Sequence, residues 1–359
     1  MTLRVLKGRD FRGFSCFQVE CHPELNFFVG PNGGGKTSLL EAIYLMGRGK
    51  SFRTMRRHHL WRRGTNGFFL QAQVSDHLRR NIPVTLNGTS SGLRYRIDGE
   101  PIQALSQLPS ILPAQFIDPR TSPLVSGTPA DRRRFMDWGL FHVEPQFYGY
   151  WRNYQRAIDQ RNIALRNECP DRELSGWEEL IVNYGQLLHE LRENYLAGLQ
   201  PFLSYCLSRL KCPEHLDYRY HPGWPREKNL MEALTDSRVR DRVQGLTSIG
   251  PHRADLSIRI DGHPAVSQLS RGEEKRITFS FLFAQINHLY QCTGQQPLAL
   301  IDDPIAELDD LSWKLLAELL MELPAQRFVA VIHPNHIQPK NSGIMFHVEQ
   351  GMLAINDKI

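Results

Sequence analysis

The chain has 359 residues, enough for one large or two ordinary domains, and its 41% hydrophobic and 23% charged content excludes disordered and fibrous classes. A formal net charge of +5 is small for this length, so only its distribution could direct the chain to nucleic acid. Six cysteines, at 16, 21, 169, 206, 212 and 292, form no CxxC pair and suit free thiols in a reducing compartment. Neither "MTLRVLKGRDFRGF" at the start nor any later stretch has the apolar core of a signal peptide or a membrane span, so a cytoplasmic protein is expected.

In chain order, residues 2–9 and 25–29 read as strands, split by "DFRGF". Residues 67–75, 81–88 and 92–97 read as further strands, with turns expected at Asn87-Gly88 and Asp98-Gly99. "ILPAQFI" is a short apolar run, followed by a loop from Asp118 to Pro129. From Asp131 to about Leu210 the period becomes helical. Phe147, Trp151, Tyr154 and Ile158 recur at helical spacing, as do Leu180, Tyr184, Leu187, Leu188, Leu191 and Tyr195. Pro170 and Gly176 fall between the two runs, so a helical hairpin is expected, with helices of about twenty to thirty residues at about 1.5 Å each. Strands return at 254–261, 297–301, 327–332 and 344–348, with helices near 274–290 and 311–322. The plan is α/β with a helical insertion and no internal repeat.

Gly30 to Thr37 fits G-x-x-x-x-G-K-[ST] between an apolar strand, "LNFFV", and a helix, "TSLLEAIYLM". Glycines let the backbone turn its N–H groups onto phosphate, and the helix start adds its positive dipole end. Lys36 supplies a charge for terminal phosphates and Thr37 a hydroxyl for magnesium. Such a loop needs a distant acidic partner. "PLALIDD" provides Asp302, placed to hold magnesium, and Asp303, placed to orient an attacking water. An acidic pair that merely caps the next helix is the plainer alternative.

"LSRGEEK" puts Ser270 and Gly272 at the start of a helix with Glu273 and Glu274 in its first turn, a second anion-binding arrangement. One ATP needs one phosphate cradle, so Ser270 and Gly272 are read as completing the site of a second copy, two chains enclosing two nucleotides. An ordinary capping motif would leave the same residues.

The ordered set of phosphate loop, "LSRGEEK", "ALIDD" and "AELDD" resembles the ATP-binding-cassette superfamily, in its chromosome-segregation and repair (SMC-like) branch. "RDFRGF", "GRGKSFR", "YRIDG", "RRRFMDWGLFH", "YQRAIDQRNIALR" and "GPHRADL" make it similar, end to end, to the RecF family of bacterial replication and repair proteins. The resemblance implies a cassette-type P-loop ATPase head with mixed sheets, a helical lobe II and no long coiled coil. Lobe I would take residues 1–125, lobe II 126–245, and the C-terminal part of the ATPase lobe 246–359.

By the same resemblance Gly30, Asn32, Gly33, Gly35, Lys36, Thr37, Ser38 and Arg12 hold ATP, with Ser270 and Gly272 acting in trans. Thr37, Asp302 and Gln115 attend the magnesium, and Lys36, Gln115 and Asp303 the hydrolysis. Asp309 lies on the loop that crosses a dimer interface. The pattern has departures. Asp118 and Arg120 stand where a Pro-Glu pair is usual, "EEK" replaces a glutamine after the signature glycine, and His333 falls near the switch position. Asp303, a methylene shorter than glutamate, leads to an expectation of a weak ATPase used as a timer.

"SFRTMRRHHLWRRG" gathers Arg53, Arg56, Arg57, Arg62 and Arg63, enough to neutralise several phosphates, although a solvated basic face would give the same run. Arg132, Arg133 and Arg134 either contact DNA or anchor the insertion. No zinc spacing or helix-turn-helix signal is present, so the backbone or shape of duplex DNA is the expected target. The resemblance adds an ATP-dependent homodimer on double-stranded and gapped DNA, RecR and RecO as partners, loading of recombinase, the SOS response and a cytoplasmic, nucleoid-associated location. Rival readings are the head of another repair or chromosome-organising complex, a transporter ATPase subunit, and a scaffold that binds ATP without turning it over.

Overall fold

The computed structural model describes residues 1–75, 80–118, 124–306, 308–333 and 343–358. The chain forms two compact units, one of residues 1–121 with 289–359, the other of 122–288.

The first unit opens with β1 (Thr2–Phe11), β2 (Phe14–Glu20), β3 (Leu25–Val29), α1 (Lys36–Arg48), β4 (Gly67–Ser75), β5 (Asn81–Thr89), β6 (Gly92–Ile97), β7 (Glu100–Pro101), α2 (Gln107–Ile111) and β8 (Ala114–Ile117). The second holds α3 (Pro129–Val143), α4 (Phe147–Arg166), α5 (Asp171–Arg209), β9 (Leu216–His221), α6 (Leu230–Gln244), β10 (Asp255–Ile260), β11 (His263–Pro264) and α7 (Arg271–Thr293) as far as His288. The chain then returns through β12 (Leu298–Asp302), α8 (Asp310–Glu322), β13 (Gln326–Val331), β14 (Ile344–Glu349) and β15 (Met352–Lys358).

Two six-stranded sheets organise the first unit. One is antiparallel, in the order β2-β1-β4-β5-β6-β7. Its strands alternate. On β4, Phe68, Leu70, Ala72 and Val74 are buried while Phe69, Gln71 and Gln73 look outward, the pattern of a sheet with one wet face. The other sheet runs β15-β14-β3-β13-β12-β8 and is parallel except at β15. β3, β8, β12 and β13 are buried along their whole length and are mostly apolar, with Asn26, Gln115, Asp302, Gln326 and Arg327 as their buried polar members. Leu39, Ile43 and Met46 of α1 pack with Leu6, Leu70 and Leu86 of the first sheet and Phe28, Leu300 and Phe328 of the second in one core. Burying these side chains, at about 1.5–3 kcal/mol each, fixes α1 between the sheets.

Some expectations shift by local geometry. Gly88 lies inside β5 and the turn follows at 90–91. A Cβ at Gly88 would meet the Phe68 ring at 2.1 Å, so this glycine answers to packing and not to a turn. The Asp98-Gly99 turn forms, both residues at positive φ. In the second unit the hairpin closes at Pro170, and Gly176 sits within α5. At 39 residues α5 exceeds the expected length and spans about 58 Å at 1.5 Å per residue. β2, β9, β15 and α6 are further elements that the sequence pattern did not signal; α6 hides because charged residues occupy most of its turns.

Within the second unit, α3 begins at a Thr128–Asp131 capping box with Pro129 in its first turn. Arg132 makes a two-pronged pair with Asp255 at 2.8 and 3.0 Å, and Arg133 donates to the Ala254 carbonyl at 2.6 Å. Both therefore anchor α3 to β10, while Arg134 is exposed beside Asp131. Arg161, wholly buried, donates to Glu178, Asp241 and Thr247 and ties α4, α5 and α6 together. The compact unit ends at His288 by contact, whereas the lobe boundary at 245 is the one the resemblance implies; the two divide the chain on different grounds.

Candidate functional site

The parallel sheet puts β3 and β12 on either side of β13, so the loop after β3 and the acids ending β12 emerge at one carboxyl edge. That edge is where open α/β sheets take ligands. Gly30, at φ 155°, passes so near β14 that a Cβ would meet the Val348 carbonyl oxygen at 2.1 Å. Gly33, at φ 79°, turns the chain back in a conformation that favours glycine. The loop delivers α1 with no capping side chain and no acidic residue in its first turn. An uncapped helix start of this kind presents unclaimed N–H groups and a positive dipole end.

Lys36 lies folded over the loop, its Nζ donating to the Gly30 and Pro31 carbonyls at 2.7 and 2.9 Å. Burial lowers its pKa, with Asp302 and Asp303 opposing the shift. Thr37 Oγ1 donates to Asp302 Oδ2 at 2.9 Å, joining residues 265 positions apart. Asp302 is buried, and Asp303 follows at φ 44°, a backbone conformation that side-chain-bearing residues seldom adopt. Asn32 is exposed on the loop and Ser38 buried behind it. A hydroxyl and a carboxylate side by side form a hard-oxygen donor pair of the kind magnesium takes.

The structure thus brings together Gly30–Thr37, Asp302 and Asp303. Gln115 is set back: it pairs with Ala299, three residues before Asp302, about 10 Å at about 3.3 Å per residue. Asp118, one residue beyond the Ile117–Ile301 pair, is the buried residue at the edge itself. Arg120 lies outside the described residues, and His333 is exposed after β13.

Arg12, at φ 52°, is committed within the chain. Its guanidinium donates to both oxygens of wholly buried Glu41 at 2.6 and 2.7 Å and to the His59 carbonyl at 2.6 Å. Glu41 also accepts from Ser51 and lies 3.6 Å from Arg53. This α1 carboxylate fastens the "DFRGF" turn and the arginine-rich segment to the helix of the loop. Sequence reasoning missed it, although a lone acid inside the apolar run "SLLEAIY" was the available signal.

The arginine-rich segment crosses the end of β1, where Trp61 bridges Phe11 and buried Leu60 roots it. Arg53, Arg56, Arg57, Arg62 and Arg63 are all exposed, and the last four make no ion pair among the described residues. Local desolvation, then His58, Arg56 and Arg12, hold His59 below its ordinary pKa.

In the second unit Ser270 caps α7. Its backbone N–H and hydroxyl donate to Glu273 Oε2 at 2.9 and 2.7 Å, and the Glu273 N–H returns to Ser270 Oγ at 3.4 Å. The capping alternative is therefore realised in the single chain, with Gly272 in the first turn. Asp309 caps α8, accepting from the Ser312 N–H at 2.7 Å.

The fold and this loop define an α/β head of the ATP-binding-cassette type, in the SMC branch. Residues 2–353 match the family described as "RecF/RecN/SMC N terminal domain". The chain belongs to the RecF family of DNA replication and repair proteins. It is 35% identical over 356 residues to the DNA replication and repair protein RecF of Vibrio vulnificus (strain CMCP6), covering 98% of this chain and 99% of that one. To RecF of Thioalkalivibrio sulfidiphilus (strain HL-EbGR7) it is 37% identical over 360 residues, covering 99% and 100%. A solved structure of the recombination mediator protein RecF-ATP in the RecFOR pathway superposes with a TM-score of 0.87 at 22% identity, covering 99% and 98%. An Smc head bound to the C-winged helix domain of ScpA superposes at 0.62 with 15% identity, covering 99% and 97%. Both structural likenesses concern the fold. Among the described residues no helix is long and apolar enough to cross a membrane.

Proposed function

We propose that the chain is an ATP-operated clamp of replication and recombinational repair. Two copies enclose two ATP molecules, grip duplex DNA near single-strand gaps and help load recombinase, with RecR and RecO as partners. The observation that carries this reading is the 2.9 Å hydrogen bond from Thr37 to Asp302 beside an uncapped helix start and a folded-back Lys36. Family membership over the full chain and the ATP named for a RecF structure support it.

In this reading the N–H groups of Asn32, Gly33 and Gly35, on a path that Gly30 and Ser38 help to shape, receive the phosphates. Lys36 exchanges two carbonyls for the terminal phosphate oxygens. Thr37 and Asp302 would hold magnesium, which would offset the negative charge of the phosphates. Asp303 orients the attacking water at a slow rate set by its short side chain. Gln115 acts through the chain that follows β8. Arg12 steadies the loop helix through Glu41 and borders the nucleotide. Ser270 and Gly272 close the partner's site and Asp309 lies on the shared interface. Lobe I (1–125) and the C-terminal part (246–359) together form the ATPase body, and lobe II (126–245) is the helical insertion. Arg53, Arg56, Arg57, Arg62 and Arg63 meet the DNA backbone.

The test is sedimentation velocity with ATP, ADP or no nucleotide, on the wild type and Lys36→Ala, with and without a gapped duplex. Dimer and DNA complex are expected with ATP alone, and neither with Lys36→Ala. The same oligomer and the same DNA retention in all three nucleotide states would overturn the reading.

A further inference from the structure

The wet face of the antiparallel sheet carries an unexpected charge pattern. Residues paired across an antiparallel sheet share a face, so the register assembles rows that the sequence scatters over ninety positions. One row runs Gln18, Lys7, Gln71, Thr85, Arg96. The next runs Cys16, Arg9, Phe69, Asn87, Arg94. Lys7, Arg9, Arg94 and Arg96 are exposed, and neither row contains a carboxylate. Glu20, in the row beyond, accepts from Gln18 at 3.1 Å.

These cations are uncompensated. Lys7, Arg9 and Arg94 make no ion pair or side-chain hydrogen bond among the described residues, and Arg96 reaches only the Gly99 carbonyl at 3.3 Å. Between them lie amide and hydroxyl side chains that donate to phosphate oxygens as readily as they accept. A groove of about 440 Å³ opens here, lined by Lys7, Gly8, Arg9, Phe17, Phe69 and Gln71. From β2 to β6 the rows cross four strand spacings, about 19 Å at about 4.8 Å each, wider than the roughly 12 Å major groove of B-DNA. The arginine-rich segment joins β1 at the same end, Arg62 N–H donating to the Asp10 carbonyl at 2.7 Å. Arg57 approaches within 3.7 Å of where a Cβ at Gly92 would stand, at the start of β6.

We infer that this sheet face is a binding surface for the phosphodiester backbone of duplex DNA, continuous with the arginine-rich segment and indifferent to base sequence. The inference rests on the DNA-clamp reading above and adds to it a surface built by strand register. A solvated structural face would be expected to mix both signs of charge. In these two rows every charged side chain is a cation, set among neutral residues.

The experiment measures binding of the full chain with ATP to a short fluorescein-labelled duplex between about 50 and 200 mM salt. Lys7→Ala/Arg9→Ala and Arg94→Ala/Arg96→Ala are compared with the wild type and with Arg172→Ala/Lys314→Ala, which removes two exposed cations elsewhere. Each sheet-face pair is expected to weaken binding equally across duplex sequences. It should also lower the slope of log affinity against log salt by about 1.8, so the wild-type excess shrinks about tenfold across that range. Melting temperatures should match, since all four side chains are exposed. Unchanged affinity and slope in both pairs, with the wild type still binding, would overturn this inference and leave the clamp intact. An equal loss in Arg172→Ala/Lys314→Ala would overturn it as a net-charge effect. No binding by the wild type would count against the clamp itself.

Discussion

Glu273 would make the proposed two-copy site unequal to one built with a neutral residue. Its carboxylate holds the hydroxyl and N–H of Ser270 at 2.7 and 2.9 Å, the donors the proposed assembly offers to a partner's terminal phosphate. The Ser270 hydroxyl and backbone N–H keep this carboxyl below the ordinary glutamate pKa, so it stays charged at neutral pH. Glu273→Gln keeps the capping box and removes the charge. Charges some 4–5 Å apart at an exposed helix end interact by about 1 kcal/mol. A two-fold assembly has two such sites, giving about 2 kcal/mol, or about thirtyfold tighter ATP-dependent dimerisation. Helix stability should move the other way, by about 0.3–1 kcal/mol, as an acid leaves a helix N-terminus. Sedimentation velocity over a protein concentration series with ATP reads the first effect and thermal melting the second. Dimerisation unchanged or weakened in Glu273→Gln would refute the competition between carboxylate and phosphate.

Arg161→Met leaves Glu178 and Asp241 wholly buried, with only Arg238 still pairing Glu178. The expected loss is about 3–5 kcal/mol, a drop of about 10 °C in the transition of the second unit followed by circular dichroism. A shift under about 2 °C would contradict it. His252 donates through Nε2 to the Thr247 carbonyl and accepts at Nδ1 from Tyr154, a neutral tautomer, and burial lowers its pKa from 6.5 to about 4. The unfolded chain binds this proton first, so the contribution is present above pH 6.5 and is lost as pH falls toward 4. Between about pH 7 and pH 5 the wild type should lose about 2 kcal/mol more in urea midpoints than His252→Asn. Equal losses would sink the assignment. Glu41→Gln should loosen Arg12 and the arginine-rich segment together, read as faster amide exchange over 51–63 than in the wild type.

The glycine-rich loop of residues 30–37 was legible because its strand and helix are local and buried. "LNFFV" spans β3 without error, and the glycines coincide with a close approach to β14. The partnership of Thr37 with Asp302 was legible only through motif spacing, since no local pattern links residues so far apart. Gln115 shows the limit: the sequence places a glutamine near the edge, but parallel register sets it three residues short. Buried charge was hidden for a similar reason. Arg161 and Glu178 fall on helices with many polar positions, and only packing reveals that these two face inward. The charged sheet face was hidden because its members come from separate strands, each with an ordinary alternation.

The central claim is that each nucleotide is held between the loop of one copy and the Ser270–Gly272 helix start of the other. Its most direct test mixes Lys36→Ala with Ser270→Arg. Each variant alone has both composite sites broken and should stay monomeric with ATP. An equal mixture restores one intact site and should give a dimer holding one ATP, seen by sedimentation with labelled nucleotide. A mixture that behaves as the average of its two components would contradict the account.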